Sequence, residues 1–244
     1  MSYAPGEGIQ GYRACEAVPV GRAARIAGAV VVAIVLVLGL AQLVLPRIAA
    51  ITISSRVRRY GAVQSVSVTA WPAVKLLWGD ADSVTVRARD LRLNPQQAAG
   101  LVWQGRGAGS VEMTAAHVQL GPLRLSGVSL RKRGDALTAQ AFASAADVGG
   151  ALPPGMSVAL LRSEAGSVAV TASGGLFGVS ASLVAVAEAQ QGRLVARPLG
   201  LLLGGFQLTL FVNPHVYVKS IGASTVSAPG EASGYRLRMS ARLR

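Results

Sequence analysis

The strongest pattern in the chain is the run from Ile26 to Leu45, IAGAVVVAIVLVLGLAQLVL, which holds no charge and a single amide, Gln42. At about 1.5 Å of helical rise per residue it covers roughly 30 Å, the hydrocarbon thickness of a bilayer. A helix pairs every backbone N–H and C=O internally, so such a run is viable in lipid. Arg22 and Arg25 stand at one end and Pro46-Arg47 at the other. The pattern predicts a transmembrane helix over 26–45. A cleavable secretory signal has a shorter apolar core and a small-x-small cleavage site; here the nearest candidate, Ile48-Ala49-Ala50, puts a bulky Ile where a small residue is needed. The expectation is therefore an uncleaved signal-anchor, with 1–25 as a cytoplasmic tail and 46–244 as one domain. Positive charges flank both ends, Arg13, Arg22 and Arg25 before and Arg47, Arg56, Arg58 and Arg59 after. Long segments translocate largely regardless of charge, which favours the N-terminus inside and the domain outside.

Beyond the run, Arg47–Tyr60 continues as a helix with Ile48, Ile51, Ile53 and Val57 on a partly apolar face. From Ala62 the period falls to two, with Val66, Val68 and Ala70 alternating against Ser65, Ser67 and Thr69 as in a strand. Trp71–Gly79 (WPAVKLLWG) interrupts it as a short helix opened by Pro72 and closed by Gly79. A strand over 83–93 follows, and Asn94-Pro95-Gln96-Gln97 opens a helix through about Trp103. Strands are then predicted over 111–120, 123–130 and 136–145, and a short helix over 147–152 stops at Pro153-Pro154-Gly155. Further strands are expected over 156–161, 167–172, 179–190, 193–203, 206–213, 216–221 and 234–243. In the last, Tyr235, Leu237, Met239, Ala241 and Leu243 alternate with Arg236, Arg238, Ser240 and Arg242, giving one buried and one basic, wet face. Three successive strands share an oddity: the apolar set changes parity midway. It runs Val84, Val86, Ala88 and then Leu91, Leu93; Val111, Met113 and then Val118, Leu120; Leu123, Leu125 and then Val128, Leu130. A bulge does this, and bulges bend strands, so a long curved sheet is expected.

Charge narrows the function. Lys+Arg number 24 against 11 Asp+Glu, a net +13 carried almost wholly by arginine. Such a chain is drawn to anionic surfaces, and for an anchored protein the nearest is the phospholipid headgroup layer. Arg56, Arg58 and Arg59 are the candidate headgroup contacts. No basic helix, zinc spacing or aromatic nucleic-acid motif is present, so nucleic acid is not an expected partner. The Arg/Ala/Val/Gly bias suggests a bacterium with GC-rich codons. The one cysteine, Cys15, excludes an intrachain disulfide. Catalytic chemistry is absent: His117 and His215 lack a paired base or nucleophile, and no hydrolase, zincin, CxxC or phosphate-loop motif occurs. Asp80 and Asp82 fit a surface turn better than a metal site. No enzyme activity, cofactor or metal is expected.

Apolar excess is what remains. All three tryptophans lie on the two short helical segments, and Trp71, Leu76, Leu77, Trp78, Leu101, Trp103 and Phe206 are the candidate lipid-binding residues. The alternative is that they are ordinary core. An apolar cleft with few polar groups suits acyl chains. The order of an N-terminal membrane segment, an Arg-ended helix, a strand, WPAVKLLWG and Asp82-Ser83-Val84-Thr85-Val86 resembles the actinobacterial LmeA-like phospholipid-binding family. Leu123–Leu130 (LRLSGVSL) and Ala145–Leu152 (AADVGGAL) also look like family features, and Ala73 and Asp80 depart from them. The resemblance implies an α+β, mainly β fold of tubular type, a curved antiparallel sheet wrapped on a helix. It also implies phospholipid as ligand and a role in cell-envelope lipid or lipoglycan metabolism, with no catalytic residues. The rival expectation is a non-enzymatic envelope scaffold that recruits a partner through its sheet.

Overall fold

The structure, a computed structural model, describes residues 20–164, 166–176, 179–199, 207–227 and 233–244. The predicted tail over 1–19 and Phe206 lie outside the described residues. The chain divides into two compact units, Met1–Leu40 and Ala41–Arg244. The first is described as helix from Val20 onward. Within helix α1 (Val20–Arg58), the part over Val32–Arg58 is long and apolar enough to cross a membrane.

The second unit is mainly β. Seven strands form one sheet in the order β1-β2-β3-β4-β5-β12-β11: β1 (Gly61–Thr69), β2 (Ala81–Leu93), β3 (Ala108–Leu120), β4 (Leu123–Arg133), β5 (Ala136–Ser144), β11 (Val216–Val226) and β12 (Gly234–Leu243). Five form a second sheet in the order β10-β9-β8-β7-β6: β6 (Met156–Glu164), β7 (Ser167–Leu176), β8 (Val179–Gln190), β9 (Arg193–Leu199) and β10 (Leu208–Phe211). The strands thus divide over two sheets, and one pair departs from the antiparallel pattern. β2 and β3 run parallel because α2 (Pro95–Gln104) returns the chain across the sheet. The Asn94 side chain accepts from the Gln97 N–H at 2.7 Å and the Gln97 side chain accepts from the Asn94 N–H at 2.9 Å, a closed capping box.

The parity changes predicted from sequence fall on one line across the sheet. In β2, Val84, Val86 and Ala88 are buried, then Leu91 and Leu93; Arg89 stands outside the register, between Ala88↔Val63 and Asp90↔Ala62. β3 steps at Ala116 opposite it, and β4 steps at Gly127, whose φ of 56° suits glycine. The step ends at the β4–β5 pairing, where the register shifts between Ser126 and Ser129 while β5 keeps its two-residue alternation. The fold therefore keeps one face apolar through a step shared by three adjacent strands.

That face is filled. The last turns of α1 place Ile53 and Val57 against Ala88, Leu91, Ala115 and Val118, and Ala49 and Ala50 against the Val68–Val84–Val86 cluster. α2 adds Ala98 and Leu101 to the first cluster and Ala99 and Val102 to a third with Leu137, Val216, Ala241 and Leu243. α3 (Ala145–Gly150), capped by Ser144, adds Val148. The opposite face carries Arg87, Arg131, Arg133, Arg236, Arg238 and Arg242, all exposed. Deleting Arg89 should pull Leu91 and Leu93 to the wet face and abolish cooperative unfolding. Arg89→Ala should stay within about 0.5 kcal/mol of the parent in urea unfolding. Equal stability of the two variants would show that the step does not set the register.

Candidate functional site

The predicted lipid-binding residues separate into two places. Trp71, Leu76, Leu77 and Trp78 lie on or beside a short 3-10 helix, Ala73–Trp78, between β1 and β2. Pro72 precedes it in extended conformation, and Gly79 closes it with φ 81°, its N–H bonded to the Leu76 carbonyl. The Ala73 N–H donates to Gln42 Oε1 at 3.1 Å, so the one amide of the apolar run holds this segment to α1. Asp82 accepts from the Trp71 N–H at 2.5 Å and pairs with Lys75 at 3.7 Å. This gives Asp82 a structural role. Leu76 turns inward to the cluster of Val68 and Val84. Trp71, Leu77 and Trp78 turn outward, with 73%, 67% and 73% of their surface exposed.

Leu101 and Trp103 lie on α2. Leu101 belongs to the filled core. Trp103 stacks on His215, ring centroids 4.0 Å apart and planes 9° from parallel, with the Arg106 guanidinium 4.6 Å from the Trp103 ring centroid. Gln96 ties the same helix to the β10–β11 connection through Val212 and Asn213, both at 2.9 Å. His215 is thus half-buried packing. His117 is exposed on β3, and no group of three or more metal-ligating side chains occurs among the described residues.

Arg56, Arg58 and Arg59 are exposed at the end of α1. Arg58 and Arg59 share an open cleft with Asp90 and Arg92. Measured along α1 at about 1.5 Å per residue, Arg58 stands roughly 20 Å beyond Leu45. The headgroup region is only about 5–8 Å deep on each side. Arg47, exposed and two residues beyond Leu45, is the cation nearest the end of the apolar run on the helix.

The second sheet carries a surface that sequence patterning did not single out. Directly paired residues share a face, and the register joins Val158, Ala172 and Leu183 in one row. Leu160, Val170, Ala185 and Pro198 make the next, and Val168, Ala187, Ala196 and Leu208 a third. On β6 the third row ends in Ser163, paired with Val168; every other member is apolar, and none is buried, with Leu183 39% and Leu208 53% exposed. The reverse face is mixed, with the Glu188–Arg197 ion pair, yet it holds the buried residues Ala169 and Val195. The second sheet is joined to the first through β11 and β12. Ile221 N–H donates to Gly166 O, Val218 N–H to Gly192 O, and Tyr235 Oη to Val158 O. Alternation in each strand was visible in the sequence; the rows needed the register.

Lys132 is the one buried charged side chain among the described residues. Its Nζ donates to the carbonyls of Arg106, at 3.1 Å, and Ala108, and so fixes the turn after α2 that carries Arg106 over Trp103. Burial pushes its pKa below the ordinary 10.5, partly opposed by the charge of Asp135. Lys132→Met should lower stability by about 1–3 kcal/mol near neutral pH, because two carbonyls lose a buried donor. Between the lowered folded value and 10.5 the unfolded chain binds more protons, so parent stability rises with pH there. The difference between parent and Lys132→Met in urea unfolding should widen across that window; a constant or shrinking difference would contradict the assignment.

A family model described as LmeA-like phospholipid-binding matches residues 36–219. Searches of curated proteins and of solved structures found no significant match.

Proposed function

The chain belongs to the LmeA-like phospholipid-binding family, and from that premise we propose that it is a single-pass membrane protein whose extracytoplasmic domain binds phospholipid. Its N-terminus lies in the cytoplasm, and its work is in cell-envelope lipid or lipoglycan metabolism. It acts by binding, without catalysis.

The observation that carries this reading is the predominantly apolar, unburied face of the second sheet. Each methylene of an acyl chain moved from water onto such a face gains about 0.8 kcal/mol at full burial. An apolar ligand therefore gains most there, while the mixed reverse face offers it little. The first sheet, with its filled core, supplies a rigid support. The outward arginines of that sheet, with Arg58, Arg59 and Arg92, give a positive field that attracts anionic headgroups over a distance and is screened by salt.

One observation favours the scaffold reading. Two open clefts among the described residues, at Arg58–Arg59–Arg92 and at Asp135–Lys219–Arg242, are lined mostly by charged residues, and neither is an enclosed apolar cavity. A carrier with an open sheet face needs no closed cavity, and a scaffold needs no lipid at all. Photo-crosslinking with a phospholipid bearing a diazirine in its acyl chain separates the two. Crosslinks should map to β6–β9, at Val158, Leu160, Val170 and Leu183. Leu183→Glu combined with Leu208→Glu should reduce them roughly tenfold or more, since each change removes about 1.5–3 kcal/mol of apolar burial. Crosslinks confined to α1 would exclude this face as the lipid site.

A further inference from the structure

Gln42 fixes the depth of an exposed aromatic segment. It lies three residues before Leu45, the end of the apolar run, hence about 5 Å along the helix from that end. Its side chain holds the Ala73 N–H at 3.1 Å. The segment that carries Trp71, Leu77 and Trp78 is therefore pinned beside the helix near the boundary between acyl chains and headgroups. Tryptophan concentrates at that boundary, where its ring is buried and its indole N–H reaches the polar layer. The next turns of α1 are exposed and apolar on one side: Leu43, Val44, Ile48 and Ile51 are 49–67% exposed at helical spacing. Arg47, exposed two residues beyond Leu45, provides a cation near that boundary, matched to lipid phosphates.

We infer that Trp71, Leu77 and Trp78, pinned to α1 through Gln42, insert into the outer leaflet of the bilayer that carries the anchor. The occupant of this surface is the bilayer itself. Large apolar side chains with two-thirds or more of their surface exposed need a cover, and the continuous apolar flank of α1 identifies it. Leu76, which faces the core, holds the segment down and does not insert. The domain then has two membrane contacts, a spanning helix and an interfacial aromatic pair, which fix its tilt on the surface. The candidate lipid-binding residues at this end thus become bilayer contacts, and the ligand surface is left to the second sheet. The inference rests on the anchored reading above.

The test uses the full chain in phospholipid vesicles. Trp103→Phe leaves Trp71 and Trp78 as the only tryptophans; Trp71→Phe with Trp78→Phe leaves Trp103. Lipids brominated near the headgroup end of the acyl chain should quench Trp71/Trp78 emission about twofold or more, as expected for interfacial indoles, and should spare Trp103. Gln42→Leu should lessen that quenching while the chain still floats with the vesicles. Flotation reports the anchor and acyl crosslinking reports the ligand face, so failure of either is distinguishable from failure of insertion. Equal quenching of both variants by aqueous iodide, with no bromolipid effect, would overturn the inference. So would saturation by one brominated lipid per chain in detergent, which would make these residues a ligand wall.

Discussion

Apolar surface left in water costs about 25 cal/mol for every square ångström, and the two sheets of this domain meet that constraint differently. The first keeps its apolar face continuous by stepping β2, β3 and β4 along one line, then covers it with the end of α1, α2 and α3. Leu91, Leu137 and Ala143 are almost wholly inaccessible as a result. The second sheet presents three apolar rows, and no residue in them is buried. On the proposed function, the closed core serves stability and the open apolar face receives acyl chains.

The same constraint orders the membrane-proximal end. A lone amide in an apolar helix is costly unless it is paired, and Gln42 finds its partner in the Ala73 N–H. Asp82 serves the same segment from the other side, through Trp71 and Lys75. Other polar side chains are likewise tied into the fold. His215 stacks on Trp103, and Lys132 closes the turn after α2.

Much of the fold was legible in the sequence because the signals were local. Asn94-Pro95-Gln96-Gln97 and Pro72…Gly79 named their own helix ends, and Gly234–Leu243 displayed one apolar and one arginine face. The parity changes at Ala88/Leu91, Met113/Val118 and Leu125/Val128 announced the shared step before any register was known. What was not legible depended on pairing between distant strands. Nothing local says that the strands divide into two sheets, that β2 runs parallel to β3, or that Leu160, Val170 and Ala185 share a row. The candidate site suffered most, since tryptophan and leucine look alike in a core, in a pocket and at a membrane. Only exposure and the Gln42 contact separate Trp71 and Trp78 from Leu101.

The most direct test of the central claim is native mass spectrometry of the full chain released from detergent micelles. The account predicts one or two phospholipid masses that persist at collision energies stripping loosely held lipid. A chain that emerges bare, and stays bare after incubation with phospholipid vesicles, would contradict it.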